Sequence, residues 1–335
     1  MKPIRIGTRG SKLALWQAHW VEAELQRYNF VTKIVEIGTS GDHDRHQPIA
    51  ELGVEGVFTK EIQRALLEGE IDLAVHSLKD LPTETVNGLE FVASPQRGPF
   101  RDAFVSNRAA SLDELPDGSR IGTGSIRRKA QLLNLYRSRF QVVDLSGNSV
   151  INLYNTRFQI VDIRGNVETR LKKLDAGDYD AIILAEAGLV RLGLQERIMS
   201  FLEPPLFLPA IGQGALGIEI RSEDKENLAS AIFRLNDPET FVAVTAERSL
   251  LRSLRGGCLA PIAAFCRVEQ STAPHLMLTA RVLSPDGQRR LETSQARRVN
   301  FLKSNDIIRD TAARLGKEVA DKLFASGAEK LLREE

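Results

Sequence analysis

The sequence contains few of the residues on which specialised folds depend. Two cysteines, Cys258 and Cys266, are too few for a disulfide framework, and their spacing fits no common metal motif. No apolar run approaches the roughly 18 residues that a membrane-spanning helix requires. The first residues, MKPIRIGTRGS, turn polar before a signal-like apolar core could form. We therefore expect a cytoplasmic protein with free thiols and no membrane association.

The chain also lacks an excess of charge of either sign, since 45 basic residues face 44 acidic ones. A broad basic surface of the kind that binds nucleic acid is not expected, so any anion site must be local. What is present is typical of a globular protein: 335 residues, 42% of them hydrophobic and 27% charged. This length predicts two or three domains, each with its own core.

Short apolar strands alternate with amphipathic helices through the first two thirds of the chain, a pattern typical of parallel sheets covered by helices. The strand IRIG leads to a predicted helix from about Lys12 to Tyr28, and a helix from Thr59 precedes the strand IDLAVH. A second series of strand-turn-helix units begins near Asp102. The last hundred residues instead predict two helices flanking alternating strands, which indicates a smaller α+β domain with an antiparallel sheet.

A local duplication interrupts the second series. Asn134–Ile151 and Asn152–Thr169 agree at ten of 18 positions, which indicates a tandem duplication rather than a repeat architecture. The second copy contains Arg164 and is directly followed by Arg170. The first copy has Ser146 at the position of Arg164 and is followed by Asn152 at the position of Arg170. We therefore assign the chemistry to the second copy and interpret the first as an insertion.

Basic residues follow the predicted strands at the ends where open parallel sheets bind ligands. Helix N-termini there favour negative charge, and arginine suits carboxylate because its guanidinium donates two parallel hydrogen bonds. Any single one of these residues is more simply explained as a surface ion pair, but their recurrence favours a site for a ligand with two or more carboxylates. The set comprises Arg9, Lys79, Arg127, Arg128, Arg164, Arg170 and Arg191.

Two further residues suggest chemistry rather than binding alone. Asp80, in HSLKDLP, is the only acid that we expect within this cationic group, where it could stabilise a cationic intermediate or handle an N–H proton. A simple ion pair with an arginine is the alternative. Cys258, in RGGCLAP, is expected in an exposed loop as a nucleophile or attachment point, whereas Cys266 is interpreted as a small buried hydrophobe.

Several motifs together resemble the porphobilinogen deaminase (hydroxymethylbilane synthase) family. They run in order from about Ile4 to Ala263 and include TRGSKLALWQA, HSLKDLP, GTGSIRR, RGNVETRL, LPAIGQGALGIE and RGGCLAPIA. The resemblance implies a transferase of tetrapyrrole and heme biosynthesis. Such an enzyme condenses four porphobilinogen molecules head to tail, releases ammonia, and hydrolyses the chain to hydroxymethylbilane.

The resemblance also implies roles for individual residues. Cys258 would hold a dipyrromethane cofactor through a thioether, and Asp80 would steady the pyrrole nitrogen as ammonia leaves. The residues implied to bind the acetate and propionate groups are Arg9, Ser11, Ser77, Lys79, Thr123, Ser125, Arg127, Arg128, Arg164, Arg170 and Arg191. Two positions depart from the family pattern: Gly124 stands where serine is frequent, and Glu55 where lysine is common.

The implied fold has two α/β domains like those of type II periplasmic binding proteins, with parallel or mixed sheets, and a smaller C-terminal α+β domain. The implied domains are residues 1–95 with 215–235, residues 101–208, and residues 238–335, in a monomer that needs no metal. The competing hypothesis is a noncatalytic anion-binding protein of the same two-domain architecture. Cys258 and Asp80 separate the two, since a simple binder needs neither.

Overall fold

The computed structural model of the chain describes residues 2–38, 59–143, 150–255, 260–270 and 273–333, and the backbone alone of 137–143, 150–156 and 333. Cys258, Glu55 and Ser146 lie outside the described residues. Within these ranges, no helix is both long enough and apolar enough to cross a bilayer.

The strands, in chain order, are β1 (Ile4–Thr8), β2 (Thr32–Glu36), β3 (Leu73–Ser77), β4 (Leu89–Ala93), β5 (Asp102–Ser106), β6 (Arg120–Gly122), β7 (Arg137–Val143), β8 (Val150–Thr156), β9 (Gln159–Val161), β10 (Ala181–Ala185), β11 (Ser200–Leu202), β12 (Leu216–Arg221), β13 (Ile262–Glu269), β14 (His275–Leu283) and β15 (Arg290–Arg298). The helices are α1 (Lys12–Gln26), α2 (Lys60–Leu67), α3 (Ile126–Leu135), α4 (Val167–Asp175), α5 (Glu186–Arg191), α6 (Ala229–Leu235), α7 (Pro238–Ser253), α8 (Asn305–Ala325) and α9 (Ala328–Arg333).

The first sheet has the order β2-β1-β3-β12-β4 and is covered on both faces. Side chains alternate along β3, so Val75 packs with Val21 of α1 while Ala74 packs with Leu66 of α2. Strands β1, β2 and β3 are parallel, whereas β12 runs antiparallel to β3 and β4. The carboxyl ends of β1 and β3 consequently meet at one edge of the sheet.

The second sheet has the order β11-β5-β10-β6-β9. Strands β6, β9 and β10 are parallel and lead into α3, α4 and α5 as the sequence predicts, but β5 runs antiparallel to both of its neighbours, β10 and β11. The expectation of mixed sheets is confirmed, and the simpler expectation of wholly parallel ones is wrong. Each sheet has one strand of reversed direction, β12 in the first and β5 in the second, and each of these follows a segment, residues 203–215 or 94–101, that crosses from the other sheet.

The third sheet, β13-β14-β15, is antiparallel throughout, as predicted for the C-terminal region. Helices α7 and α8 pack on it through a core that includes Ala246, Leu250 and Leu315. Arg281 of β14 is buried and donates to Gln131 Oε1 of α3 at 2.8 Å, so this sheet is fastened to the second α/β unit. These three sheets are the basis on which we propose the three domains and their boundaries.

The duplicated segment forms a hairpin beside the second sheet rather than an additional strand within it. Strands β7 and β8 pair antiparallel with each other, while β9, from the second copy, pairs with β6. The hairpin ends lie together, because Arg157 N donates to Tyr136 O at 3.4 Å. The second copy therefore supplies the strand that leads to Arg164.

We expect deletion of Asn134–Ile151 to leave the fold and the turnover intact. The deletion retains Asn152, Leu153 and Tyr154 in place of Asn134, Leu135 and Tyr136, and only two residues then bridge the closed gap. The thermal unfolding midpoint should change by less than about 4 °C, equivalent to about 1 kcal/mol. Circular dichroism melting and a turnover assay would measure both.

The matched control deletes Asn152–Thr169, which shortens the chain equally but leaves Ser146 in the place of Arg164. This variant should lose turnover. Equal activity of the two deletions would contradict the assignment of chemistry to the second copy.

Candidate active site

A short 3₁₀ turn at the end of β3 presents Lys79 and Asp80. The turn spans Leu78–Asp80, with Leu78 buried, Lys79 partly buried and Asp80 exposed. Just before it, Ser77 Oγ accepts a hydrogen bond from Gln17 Nε2 at 2.7 Å. Ser77 is thereby tied to α1, the helix whose N-terminus follows Arg9.

The N-terminus of α3 presents Arg127 and Arg128 from the second sheet. Ser125 caps this helix, since its Oγ accepts from Arg128 N at 3.4 Å, and Thr123 Oγ1 accepts from Ser125 N at 3.2 Å. A Cβ atom on Gly124 would lie 2.9 Å from Ile163 O. The absence of a side chain at this position thus permits the close approach of the segment that leads to Arg164.

A second acid, Asp102 of β5, lies among these arginines, so the expectation that Asp80 is the only one was wrong. Asp102 is fully buried, and its carboxylate is 2.8 Å from Arg127 Nη1 and 2.7 Å from Arg128 Nη2. Gln213 Nε2 donates to Asp102 Oδ1 at 3.1 Å. Burial alone would raise the pKa of Asp102, but the charges of Arg127 and Arg128 lower it to about 2. One anion therefore balances two cations and leaves one positive charge in excess.

Lys79 and Arg170 lie near charged groups of the opposite α/β sheet. Burial lowers the pKa of Lys79 to about 8, opposed by Asp80 and assisted by Arg128. Burial also lowers the pKa of Arg170 to about 10, with Arg128 contributing and Asp80 opposing. Each of these pKa values is thus affected by a charged residue of the other α/β sheet. Arg170 lies in the first turn of α4, and its Nε donates to Gly165 O at 2.7 Å.

The remaining basic residues of the predicted set differ in their surroundings. Arg164 is half exposed and pairs with Asp162 at 2.7 Å, which is the simple ion pair considered above. Arg191 ends α5, and its Nη2 donates to Gly214 O at 2.7 Å while its guanidinium carbon lies 5.6 Å from the Trp16 ring centre. Burial lowers the pKa of Arg191 to about 10. Ser11 Oγ accepts from Ala14 N at 3.3 Å and caps α1, two residues after Arg9.

Two residues that hold the arginine pair in place, Asp102 and Gln213, were not predicted from the sequence. Asp102 begins the apolar strand DAFVS, and a buried acid in such a strand was the available signal. Gln213 gives no local signal, although its Nε2 also donates to Phe100 O at 2.8 Å. Cys266 is buried as predicted, and burial raises the pKa of its thiol well above the ordinary value.

We expect Asp102→Asn to lower the free energy of unfolding by about 3 to 5 kcal/mol, because it leaves two buried guanidinium groups without their anion. The depressed pKa means that the ionic contribution is present above the ordinary pKa of 3.8 and is lost as the pH falls through about 2. The difference between wild type and variant, measured by urea unfolding, should therefore shrink in that pH range.

The control is Asp175→Asn, which removes an exposed carboxylate 2.6 Å from Arg197. We expect it to cost less than about 1 kcal/mol. Equal losses in the two variants would show that Asp102 does not hold the arginine pair.

Family models and known proteins match this chain along nearly its whole length. Residues 4–229 match the model described as "Porphobilinogen deaminase, dipyromethane cofactor binding domain", and residues 241–325 match "Porphobilinogen deaminase, C-terminal domain". The porphobilinogen deaminase of Geobacter metallireducens is 44% identical, covering 99% of this chain and 95% of its own. That of Pelobacter propionicus is 42% identical, covering 99% and 97%.

Solved structures that match part of this chain include immunogenic lipoprotein A from Vibrio vulnificus, at 14% identity and a TM-score of 0.42, covering 73% of this chain and 99% of its own. A nutrient binding protein from Burkholderia cenocepacia has the same identity and TM-score, covering 69% and 89%. The family is decided by the sequence matches, which span both the cofactor-binding and the C-terminal regions. This chain belongs to the porphobilinogen deaminase family.

Proposed function

We propose that this transferase condenses four porphobilinogen molecules stepwise at the site between the two α/β sheets, with Asp80 as catalytic residue and Cys258 as the cofactor attachment point. The reaction releases ammonia at each addition and ends with hydrolysis of the linear tetrapyrrole hydroxymethylbilane. The family membership supports the reaction, and the charges of the site support the assignment of residues.

The observation that carries these assignments is a group of partly buried cations that have no ion-pair partner among the described carboxylates. Within the part of the chain that the structure describes, no carboxylate forms an ion pair with Lys79, Arg170 or Arg191. Burial lowers the pKa of each, so retaining the positive charge costs free energy unless an anionic ligand is bound. Each porphobilinogen carries two carboxylates, which would compensate that cost.

The proposed carboxylate-binding groups combine fixed charge with hydroxyl donors. Arg127 and Arg128 are held by Asp102 before the substrate arrives, so their positions need no reorganisation on binding. The proposed set retains Arg9, Ser11, Ser77, Thr123, Ser125 and Arg164 beside the cations named above.

Asp80 is suited to a different task. It is the exposed acid of the 3₁₀ turn, and its carboxylate opposes the lowering of the pKa of Lys79 and of Arg170 that burial causes. An ionised carboxylate there can accept a hydrogen bond from a pyrrole N–H and stabilise the positive charge that develops on the substrate ring as ammonia leaves.

The family's cofactor fits the residues present. A dipyrromethane adds further carboxylates, which suit the uncompensated cations, and its terminal pyrrole supplies the nucleophilic carbon to which substrate units are joined. Cys258 is the proposed point of attachment, because Cys266 is buried and its amide donates to Glu247 Oε1 at 2.8 Å. We further propose a cytoplasmic monomer that uses no metal and binds neither nucleic acid nor membrane.

The test is the intact mass of the protein after incubation with porphobilinogen. Wild type should gain the mass of one dipyrromethane and turn over substrate, and Cys258→Ser should do neither, because the thioether needs a thiolate nucleophile. Cys266→Ala is the matched control and should load and react as wild type does. A bare mass in wild type, with porphobilinogen bound but unchanged, would favour the noncatalytic anion-binding alternative.

Lys79 should impose an alkaline limit on the reaction. With its pKa at about 8, Lys79 loses its charge as the pH rises through that value, and its attraction for substrate carboxylate is lost with it. We expect kcat/KM, which reports the free enzyme, to decline above about pH 8. Lys79→Arg should abolish this decline, because arginine stays protonated.

Lys129→Arg, at an exposed position of α3, is the control for that profile. Titration of the substrate's own amine affects all these enzymes equally. The same alkaline decline in wild type and Lys79→Arg would exclude Lys79 as its cause.

A further inference from the structure

Arg248 of α7 contacts the backbone directly after Asp80. Its Nη1 donates to Leu81 O at 2.7 Å, and its Nη2 donates to Pro82 O at 2.6 Å. Two consecutive carbonyl groups are thus held by the two terminal nitrogens of one planar guanidinium. This fork geometry is available to arginine but not to lysine, which carries all its donors on one nitrogen.

The same face of α7 packs against the turn itself. Val244, one helical turn before Arg248, forms a buried cluster with Leu78, Leu81 and Ala215. Within the turn, Leu78 N donates to Ala215 O at 3.1 Å and Leu81 N donates to Leu78 O at 3.2 Å. The 3₁₀ turn is therefore held by Ala215, the residue directly before β12, on one side and by α7 on the other.

The Arg248 side chain is itself restrained. Its guanidinium carbon lies 5.5 Å from the centre of the Phe91 ring. The Phe91 ring in turn stacks on the ring of Phe241, with 5.2 Å between the ring centres. Phe241 also belongs to α7. The guanidinium is consequently oriented by an aromatic face as well as by the two carbonyl groups.

Asp80 has no comparable support of its own. In the described ranges of the chain, no side chain donates a hydrogen bond to its carboxylate, so the backbone of the turn decides where that carboxylate points. We infer that Arg248 is a positioning residue for Asp80, acting through the carbonyl groups of Leu81 and Pro82. The inference rests on the proposed function, in which Asp80 is the catalytic acid group.

The position of Arg248 along the chain gives this contact a further consequence. Helix α7 ends at Ser253, and Cys258 follows five residues later in the sequence. The helix that restrains the Asp80 turn is thus the one that leads into the proposed attachment point.

Arg248→Met tests the inference, because methionine keeps an apolar stem but donates no hydrogen bond. We expect kcat to fall about 100-fold with KM for porphobilinogen unchanged, since misplacement of a reacting group by about 1 Å costs that much while the carboxylate-binding cations remain. The kcat of Arg248→Lys should fall about tenfold, because lysine keeps the charge but cannot donate to both carbonyl groups from two nitrogens. Arg252→Met, one turn further along α7 and paired loosely with Glu84 at 3.5 Å, is the matched control and should match wild type.

A double-mutant cycle with Asp80→Asn distinguishes positioning from a general structural role. If Arg248 acts through Asp80, Arg248→Met should lower kcat less than about threefold in the Asp80→Asn background. The same cycle with Arg248→Lys applies if the methionine variant does not fold.

Equal fold-losses from Arg248→Met in both backgrounds, or a rise in KM with kcat unchanged, would overturn the positioning role and leave the proposed function standing. Ordinary turnover in Asp80→Asn alone would instead overturn the proposed role of Asp80, and the inference with it.

Discussion

The candidate site depends on one buried carboxylate. Asp102 has no exposed surface, and the two arginines that it holds are 5% and 6% exposed. An arginine pair on adjacent residues at a helix N-terminus opposes the helix dipole and repels itself, so it requires an anion nearby. Because Asp102 neutralises only one of the two positive charges, the pair is fixed in place and keeps a net positive charge, as the proposed anion site requires. Rigidity and residual charge thus come from the same interaction.

The two segments that connect the α/β sheets extend this arrangement to the rest of the molecule. Arg97 Nε donates to Gln213 O at 2.9 Å, and Gly98 N donates to Gly214 O at 3.2 Å, so the segments are bonded side by side. Glu247 of α7 is buried where they meet, and accepts from Arg97 Nη1 at 2.7 Å and from Gly212 N at 2.7 Å. Helix α7 therefore touches the connecting segments through Glu247 and the Asp80 turn through the next residue, Arg248. Because α7 also packs on the C-terminal sheet, this one helix links that sheet to both regions.

How much the sequence predicts depends on whether a contact is local. Helices α1, α3 and α4 were predicted because a strand, a turn and a capping residue follow in order, and the arginines were found because they sit at those junctions. Strand β12 joins the first sheet by pairing with β3, some 140 residues earlier, and no local pattern reveals such a partner. Asp102 is 25 residues from Arg127, and Arg248 is 167 residues from the carbonyl oxygen of Leu81. Because backbone acceptors carry no residue signature, a contact such as that of Arg248 is visible only in the structure.

The duplication shows what decides between two nearly equal sequences. Both copies contain RFQ followed by an apolar pair and aspartate, so either could supply the strand beside β6. Only the second copy runs directly into helix α4, whose Leu171 and Leu174 are buried and whose Asn166 caps the helix by accepting from Thr169 N at 2.9 Å. If the first copy formed the strand, the second would have to separate that strand from α4 by 18 more residues, and the Asp162–Ile163 segment would not lie against Gly124. The choice between the copies is therefore made by the helix that follows, and the excess residues leave the sheet as the β7–β8 hairpin.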